Sequence, residues 1–250
     1  MAGAEVRRRL TWLLARVVDV IDENPTARTI VFDVPGWTGH VPGQHVDLRL
    51  TAADGYQAQR SYSISTPTES DSFAITVELV SDGEVSPFLT RELRVGDQIE
   101  LRGPIGGYFV WKSLASDPLF LIGGGSGVVP LMAMMRARSQ SGSRIPVSYL
   151  ASARSFDRLI YYNELTRIGH DDENASIVHT LTRSQPENWN GPARRVDAEM
   201  LETAGFSPEE SPDIYVCGPT AFVETVLGLV VSAGHRPERI RAERFGPSGG

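Results

Sequence analysis

The sequence predicts a two-domain α+β protein: an antiparallel β-barrel over residues 1–112, then an α/β domain built on a parallel sheet over residues 113–250. Three observations predict it. In the first half, short apolar runs are separated by repeated turn signals. Beyond Trp111, apolar strands alternate with helical stretches. A glycine run, Gly123-Gly124-Gly125-Ser126-Gly127, follows directly on the first strand of that second half.

The barrel strands are expected over residues 14–21, 27–34, 45–50, 60–65, 73–79 and 97–102. Asp22-Glu23-Asn24-Pro25, Pro35-Gly36, Pro42-Gly43, Asp54-Gly55 and Asp82-Gly83 punctuate them, at intervals that suit a barrel or sandwich. A short helix over 86–92 interrupts the series, with Ser86 as a capping residue and Pro87 at the first helical position, where its fixed torsion fits. The second half reads as strand 119–122, helix 129–140, strand 147–151, helix 157–167, strand 175–181, helix 197–204, strand 213–217 and helix 220–233. Such interleaving implies a parallel sheet with helices on both faces. Residues 112–117 are the expected hinge, and the chain has no internal repeat.

Composition narrows the function. Hydrophobic residues make up 41% and charged residues 22% of the 250, so two cores can form without metal or disulfide staples. The lone cysteine, Cys217, allows no intrachain disulfide and cannot supply the roughly four thiolates of an iron-sulfur cluster. The longest apolar runs, such as 118–122, fall far short of the roughly 20 residues a membrane-spanning helix needs. Residues 1–16 lack the cleavage pattern of a secretory signal, so no membrane insertion and a cytoplasmic location are expected. A net charge of −7 argues against general nucleic-acid binding. Anionic cofactors need only local donors, and Lys112 is the sole lysine, so nearly all the positive charge is arginine, suited to phosphate forks.

Four segments can carry chemistry. In 123–127 the missing side chains let a turn approach a pyrophosphate, with free amides at the start of the next helix; the spacing is not that of a Rossmann fingerprint, and a plain strand-to-helix turn is the competing reading. Ile214-Tyr215-Val216-Cys217-Gly218-Pro219 ends a buried strand at the sheet's carboxyl edge, where open α/β sheets bind ligands. Cys217 has no neighbouring histidine to activate it, so an inert buried thiol is favoured over a nucleophile. In Arg60-Ser61-Tyr62-Ser63, alternation puts Arg60 and Tyr62 on one face, a phosphate fork beside a stacking ring; the competing reading is a barrel strand with Tyr62 in the core. His40, His45, His170, His179 and His235 show no metal-ligand spacing, and no carboxylate pair or Ser-His-Asp set stands out.

In this order, these segments resemble the ferredoxin-NADP reductase family, in which a flavin-binding antiparallel barrel precedes a nicotinamide-dinucleotide domain. The resemblance covers nearly the whole chain. It implies that Arg60 meets a flavin phosphate, Tyr62 stacks and Ser63 lies at the ring's redox edge, with Ser61 among the cofactor-binding residues. Gly83-Glu84-Val85-Ser86 matches the family's Gly-x-x-Ser segment, where a short helix start receives flavin phosphates, and Val77 and Val85 join Gly83 and Ser86 as implied flavin contacts. Gly103-Pro104-Ile105-Gly106-Gly107-Tyr108-Phe109 looks like the motif that closes the barrel. The resemblance makes Gly124, Gly125, Ser126, Gly127 and Pro130 the pyrophosphate loop, and sets Cys217, Gly218 and Pro219 beside the nicotinamide. Glu243-Arg244-Phe245 matches the family's C-terminal Glu-x-Phe, with Phe245 near the flavin. Tyr62, Ser63 and Cys217 would then be the catalytic residues, Cys217 orienting the ring without bonding to it.

The implied cofactors are FAD, with FMN as the alternative, and NADPH, with NADH as the alternative. Arg154, after strand 147–151, and Thr182-Arg183, after the next strand, stand where NADP-using relatives carry Ser/Thr and Arg; Asp157 keeps the other preference open. The expected activity is a flavoprotein NAD(P)H oxidoreductase that passes electrons to a separate acceptor, a small iron-sulfur protein such as a ferredoxin serving an oxygenase or cytochrome P450. The alternatives are a free-flavin or quinone reductase, a non-catalytic electron-sensing flavoprotein subunit and, more remotely, a nucleotide-binding transferase. Arg91, Arg94 and Arg102 are an expected docking patch for an acidic ferredoxin.

Overall fold

The computed structural model describes residues 10–68, 72–112 and 115–246. Six strands form the first sheet: β1 (Leu13–Asn24), β2 (Ala27–Asp33), β3 (His45–Thr51), β4 (Gln57–Ser63), β5 (Ser72–Glu78) and β6 (Gln98–Ile105). Their order is β4-β3-β6-β1-β2-β5, and every pairing is antiparallel. An Ile64 to Ile75 bridge and the Ser65 amide on the Ala74 carbonyl (2.8 Å) join the two edge strands, so the sheet closes into a barrel. Period-two burial fills it: Ala15 and Val17 on β1 point inward between exposed Leu14, Arg16 and Val18. They meet Ile30, Phe32, Leu48, Ile75, Val77 and Leu101 in one core.

β5 departs from the alternation. Phe73 through Val77 are all buried, because the outer face of this strand is covered by the second half of the chain. There the Tyr161 hydroxyl shares a hydrogen bond with Thr76, which bonds Thr29 at 2.7 Å. Arg136 donates to the Ser65 carbonyl at 2.8 Å while holding Glu164 with two contacts of 2.6 and 3.0 Å, and Asn24 Nδ2 donates to the Leu159 carbonyl at 3.2 Å. Burial raises the Glu23 carboxyl, which accepts from Thr29 at 2.5 Å. These bonds fix the two halves against each other.

The second sheet is parallel, in the order β11-β10-β7-β8-β9: β7 (Leu119–Gly124), β8 (Val147–Ala153), β9 (Ala175–Leu181), β10 (Asp213–Pro219) and β11 (Ile240–Phe245). Among the described residues four α-helices cover it: α1 (Val128–Gln140), α2 (Tyr162–Asp171), α3 (Ala198–Ala204) and α4 (Thr220–Ser232). Alternate strand residues serve opposite layers. Leu119, Leu121, Tyr149 and Cys217 pack under Leu131, Met135 and Leu165, whereas Phe120, Ile122, Leu150 and Val216 pack under Met200, Leu201, Val223 and Val226. Both expected layers of helix are therefore present. Among the described residues no helix is long and apolar enough to cross a membrane.

Several expected elements shift. The strand at 60–65 is β4, three residues earlier, because Ile64 and Ser65 instead bond across to β5. The short helix at 86–92 is present, helical at Ser86 and Pro87 and continuing as a π-helical turn over Phe88–Glu92, but the Ser86 hydroxyl does not cap it. The Ser86 hydroxyl turns back to take the Val80 amide at 3.0 Å. The helix expected at 157–167 is a 3₁₀ turn over Phe156–Arg158 and then α2, since Tyr161 takes a left-handed conformation (φ 61°) between them. β11 is an additional strand. The 1–16 segment and the hinge at 112–117 lie partly outside the described residues, as does the tail after Gly246.

Candidate cofactor cleft

The glycine run forms a tight turn where β7 passes into α1. Gly125 is left-handed (φ +55°), a conformation without cost only for glycine. Gly127 lies so close to β10 that a Cβ there would fall 2.1 Å from the Cys217 carbonyl oxygen. The residue before the 3₁₀ turn at 125–127 is Gly124, which has no side chain to cap the turn's amides. One is engaged: the Ser126 amide donates to Glu78 Oε2 of the barrel at 3.2 Å. Pro130 is buried in the first turn of α1, where an amide would lack a helical partner in any case.

This loop floors a cleft of about 710 Å³ between the two halves. Glu78, Leu79, Val80 and Ser81 give the barrel wall, and Gly124, Gly125 and Ser152 the floor. Pro219, Phe222 and Phe245 bound the opposite side. Arg154, Arg158 and Arg195 converge on it, together with Thr182. Three arginines and a glycine turn at a helix start, around one space between a barrel and the carboxyl ends of a parallel sheet, suit a dinucleotide with its phosphates.

Arg154 and Thr182 thus meet at the cleft, whereas Arg183 is exposed and is not among the lining residues; its amide donates to the Arg154 carbonyl at 2.9 Å. Arg158 and Arg195 escaped the sequence reading. Arg158 closes the 3₁₀ turn after β8, within four residues of Arg154, and that proximity was a usable signal. Arg195 lies in the loop before α3 and reaches the cleft only through tertiary packing.

Cys217 is 1% exposed, and burial pushes its thiol well up, so it stays protonated at neutral pH. In register it faces Gly123 on β7 and Glu243 on β11. Burial moves the Glu243 carboxyl from 4.5 to about 7, and its Oε2 has no hydrogen-bond partner. A carboxyl balanced near neutrality beside an inert thiol can hold or release a proton there. The Glu-x-Phe segment pointed to this residue, but its burial comes from β11 joining the sheet. Gly218 follows Cys217, 3.1 Å by its would-be Cβ from the Gly124 carbonyl, so both loops lie back to back.

On the barrel side, β4 alternates as expected. Ser61 points to one face and donates to Asp47 at 2.6 Å. Arg60 and Tyr62 take the other: Arg60 is exposed and paired with Glu84 at 3.0 Å, while Tyr62 is half-buried against the core, and burial raises its phenol. Ser63 is half-buried at the end of the strand, in register with His45. Glu84 also accepts from the Tyr56 hydroxyl at 2.6 Å, so the turn at 80–86 is tied to β4. Gly83, bonded through its amide to the Val80 carbonyl at 2.9 Å, leads to Val85, which with Val77 is fully inside the barrel core. The same turn contributes Val80 and Ser81 to the cleft, so the barrel segment and the dinucleotide-sized space are contiguous. An exposed guanidinium beside a partly covered tyrosine fits a phosphate-bearing aromatic cofactor.

The expected docking arginines differ among themselves. Arg102 ion-pairs with Asp47 at 3.0 Å and lies 4.9 Å from the Trp12 ring, and Arg94 donates to the Arg91 and Leu93 carbonyls. Among the described residues no three His, Cys, Asp or Glu side chains gather as a metal site.

Comparison with known proteins matches two domain families to the chain. The sequence profile of the oxidoreductase FAD-binding domain matches residues 15–110, and that of the oxidoreductase NAD-binding domain matches residues 121–227. The glycine betaine monooxygenase reductase subunit of Pseudomonas aeruginosa is 33% identical over 239 residues, covering 94% of this chain and 64% of that protein. The ferredoxin reductase component of 3-ketosteroid-9-alpha-monooxygenase from Rhodococcus rhodochrous is 30% identical, covering 98% of this chain and 68% of that one. The chain spans just under two thirds of the length of the glycine betaine relatives. In fold it is similar to an Amycolatopsis cytochrome P450 reductase, with a TM-score of 0.83 and 24% identity over 99% of this chain and 74% of that one. The FAD/NAD-binding domain of Vibrio cholerae nitric oxide dioxygenase also has a TM-score of 0.83, with 22% identity over 94% of this chain and 99% of that one.

Proposed function

The chain belongs to the ferredoxin-NADP reductase family of FAD- and NAD-binding oxidoreductases, and on that premise we propose that it oxidises NADPH through FAD and delivers electrons to a separate acceptor. That acceptor is a small iron-sulfur protein of the ferredoxin type, serving an oxygenase or cytochrome P450. FAD, when bound, supplies the conversion of a two-electron hydride donor into single electrons. The chain's own residues bind and orient. Arg60 and the turn at 83–86 hold the flavin phosphates, with Tyr62 and Ser63 at the ring. The amides of 124–127 receive the dinucleotide pyrophosphate, and Gly218, which has no side chain, gives its nicotinamide end room beside Pro219. Cys217 stays neutral and shapes that wall. Glu243 holds a proton at its buried carboxyl when the neighbouring charge changes.

The observation that carries this reading is the shared cleft, in which loop amides, three arginines and the barrel segment 78–81 line one space. Arg154, Arg158 and Arg195 favour NADPH, since a 2′-phosphate calls for guanidinium groups and a bare diol for a carboxylate. The acceptor lies outside these residues because one cysteine cannot hold an iron-sulfur cluster. The test is to release and identify the bound cofactor, compare NADPH with NADH oxidation using ferricyanide, and then replace ferricyanide by a ferredoxin. Yellow protein carrying FAD, faster with NADPH and able to reduce the ferredoxin, is the expected result. Colourless protein that takes up neither FAD nor FMN would refute the proposal.

A further inference from the structure

The last residue of β5 reaches out of the barrel into the other half of the molecule. Glu78 is anchored through its backbone by pairing with Ala27 on β2, and the next amide, Leu79, is bonded to the Thr26 carbonyl at 2.8 Å. Its side chain crosses to the glycine loop. There Oε2 accepts from the Ser126 amide at 3.2 Å and lies 3.5 Å from where a Cβ on Gly125 would stand. Glu78 also lines the cleft on which Arg154, Arg158 and Arg195 converge. A carboxylate thus sits on an amide of the loop whose donors suit phosphate oxygens.

On the functional reading above, we infer that Glu78 is an affinity-setting residue for the coenzyme: its carboxylate occupies a pyrophosphate position on the loop and is displaced when the dinucleotide binds. The physical reason is competition of like with like. Carboxylate and phosphate are both anions that take backbone N–H donors, and two negative charges cannot share one amide in a half-enclosed space without repulsion. Displacement therefore subtracts from coenzyme affinity, which speeds release of the spent dinucleotide. Because the Glu78 backbone is fixed in the sheet, the side chain has to swing away by rotation about its own bonds. No movement of the barrel is required.

The test measures dissociation constants by isothermal titration calorimetry for flavin-loaded wild type, Glu78→Gln and Glu78→Lys. The probes are NADP+ and 2′-AMP, which has no pyrophosphate. Glu78→Gln keeps an acceptor oxygen for the Ser126 amide and removes the charge, so it should bind NADP+ about tenfold more tightly. Glu78→Lys should bind it more tightly still, and 2′-AMP should bind all three proteins alike. NADP+ binding that is unchanged or weaker in Glu78→Gln would make Glu78 a structural cap and overturn the inference alone. Equal tightening of 2′-AMP would also overturn it, since the charge would then act on the whole cleft. Failure of wild type and both variants to bind any dinucleotide would instead bring down the functional reading.

Discussion

Glu243 offers the sharpest test of the site's electrostatics. Burial displaces its carboxyl from 4.5 to about 7 without a compensating hydrogen bond at Oε2. Each pH unit of displacement is worth about 1.4 kcal/mol. Ionising Glu243 therefore costs the folded state about 3 kcal/mol. The sign follows from which state binds the proton. Below pH 4.5 the group is protonated in both states and exacts nothing. Between 4.5 and 7 the unfolded chain releases its proton while the folded one retains it, so stability falls as pH rises. Above 7 the cost is complete. Glu243→Gln cannot titrate, so the stability of wild type relative to the variant should fall by about 2.5 kcal/mol between about pH 5 and about pH 8. Urea unfolding of the two proteins, matched in bound cofactor, reads this difference directly. A difference that stays flat across the range would show that Glu243 is solvated, and the account of a carboxyl poised beside Cys217 would fail.

Gly127→Ala would drive a methyl into the Cys217 carbonyl, 2.1 Å away on a central strand. It should cost about 3 kcal/mol or more, and a thermal melt within about 0.5 kcal/mol of wild type would refute the close approach. Tyr161→Phe removes the hydroxyl that bonds Thr76 across the two halves, while Thr76 keeps Thr29; a loss of about 1 kcal/mol in denaturant is expected. Burial lowers His179 from 6.5 to about 4, so the folded state resists a proton that the unfolded state accepts. Stability should then drop by about 3 kcal/mol as pH falls through that range, and His179→Gln should flatten the drop. Arg195→Ala should weaken NADP+ binding about tenfold and leave NAD+ nearly unchanged; equal effects on both coenzymes would remove Arg195 from the 2′ position.

The sequence by itself determined the barrel-then-α/β order, since alternation at Ala15 and Val17 and the βαβ rhythm after Trp111 are local patterns set by backbone period. It also marked the glycine run, where the structure has a left-handed Gly125 that favours glycine and a Gly127 with no room for a Cβ. The sequence could not reveal β11: Arg241, Glu243 and Arg244 are charged, and the strand exists because β10 offers it an edge. Nor could it reveal that Arg195 joins Arg154 and Arg158, or the reach of Glu78 to Ser126. Those depend on contacts between residues far apart in the chain. Hydrophobic period is written into neighbours a few positions away, whereas which charges share a cleft is decided only when the two halves pack.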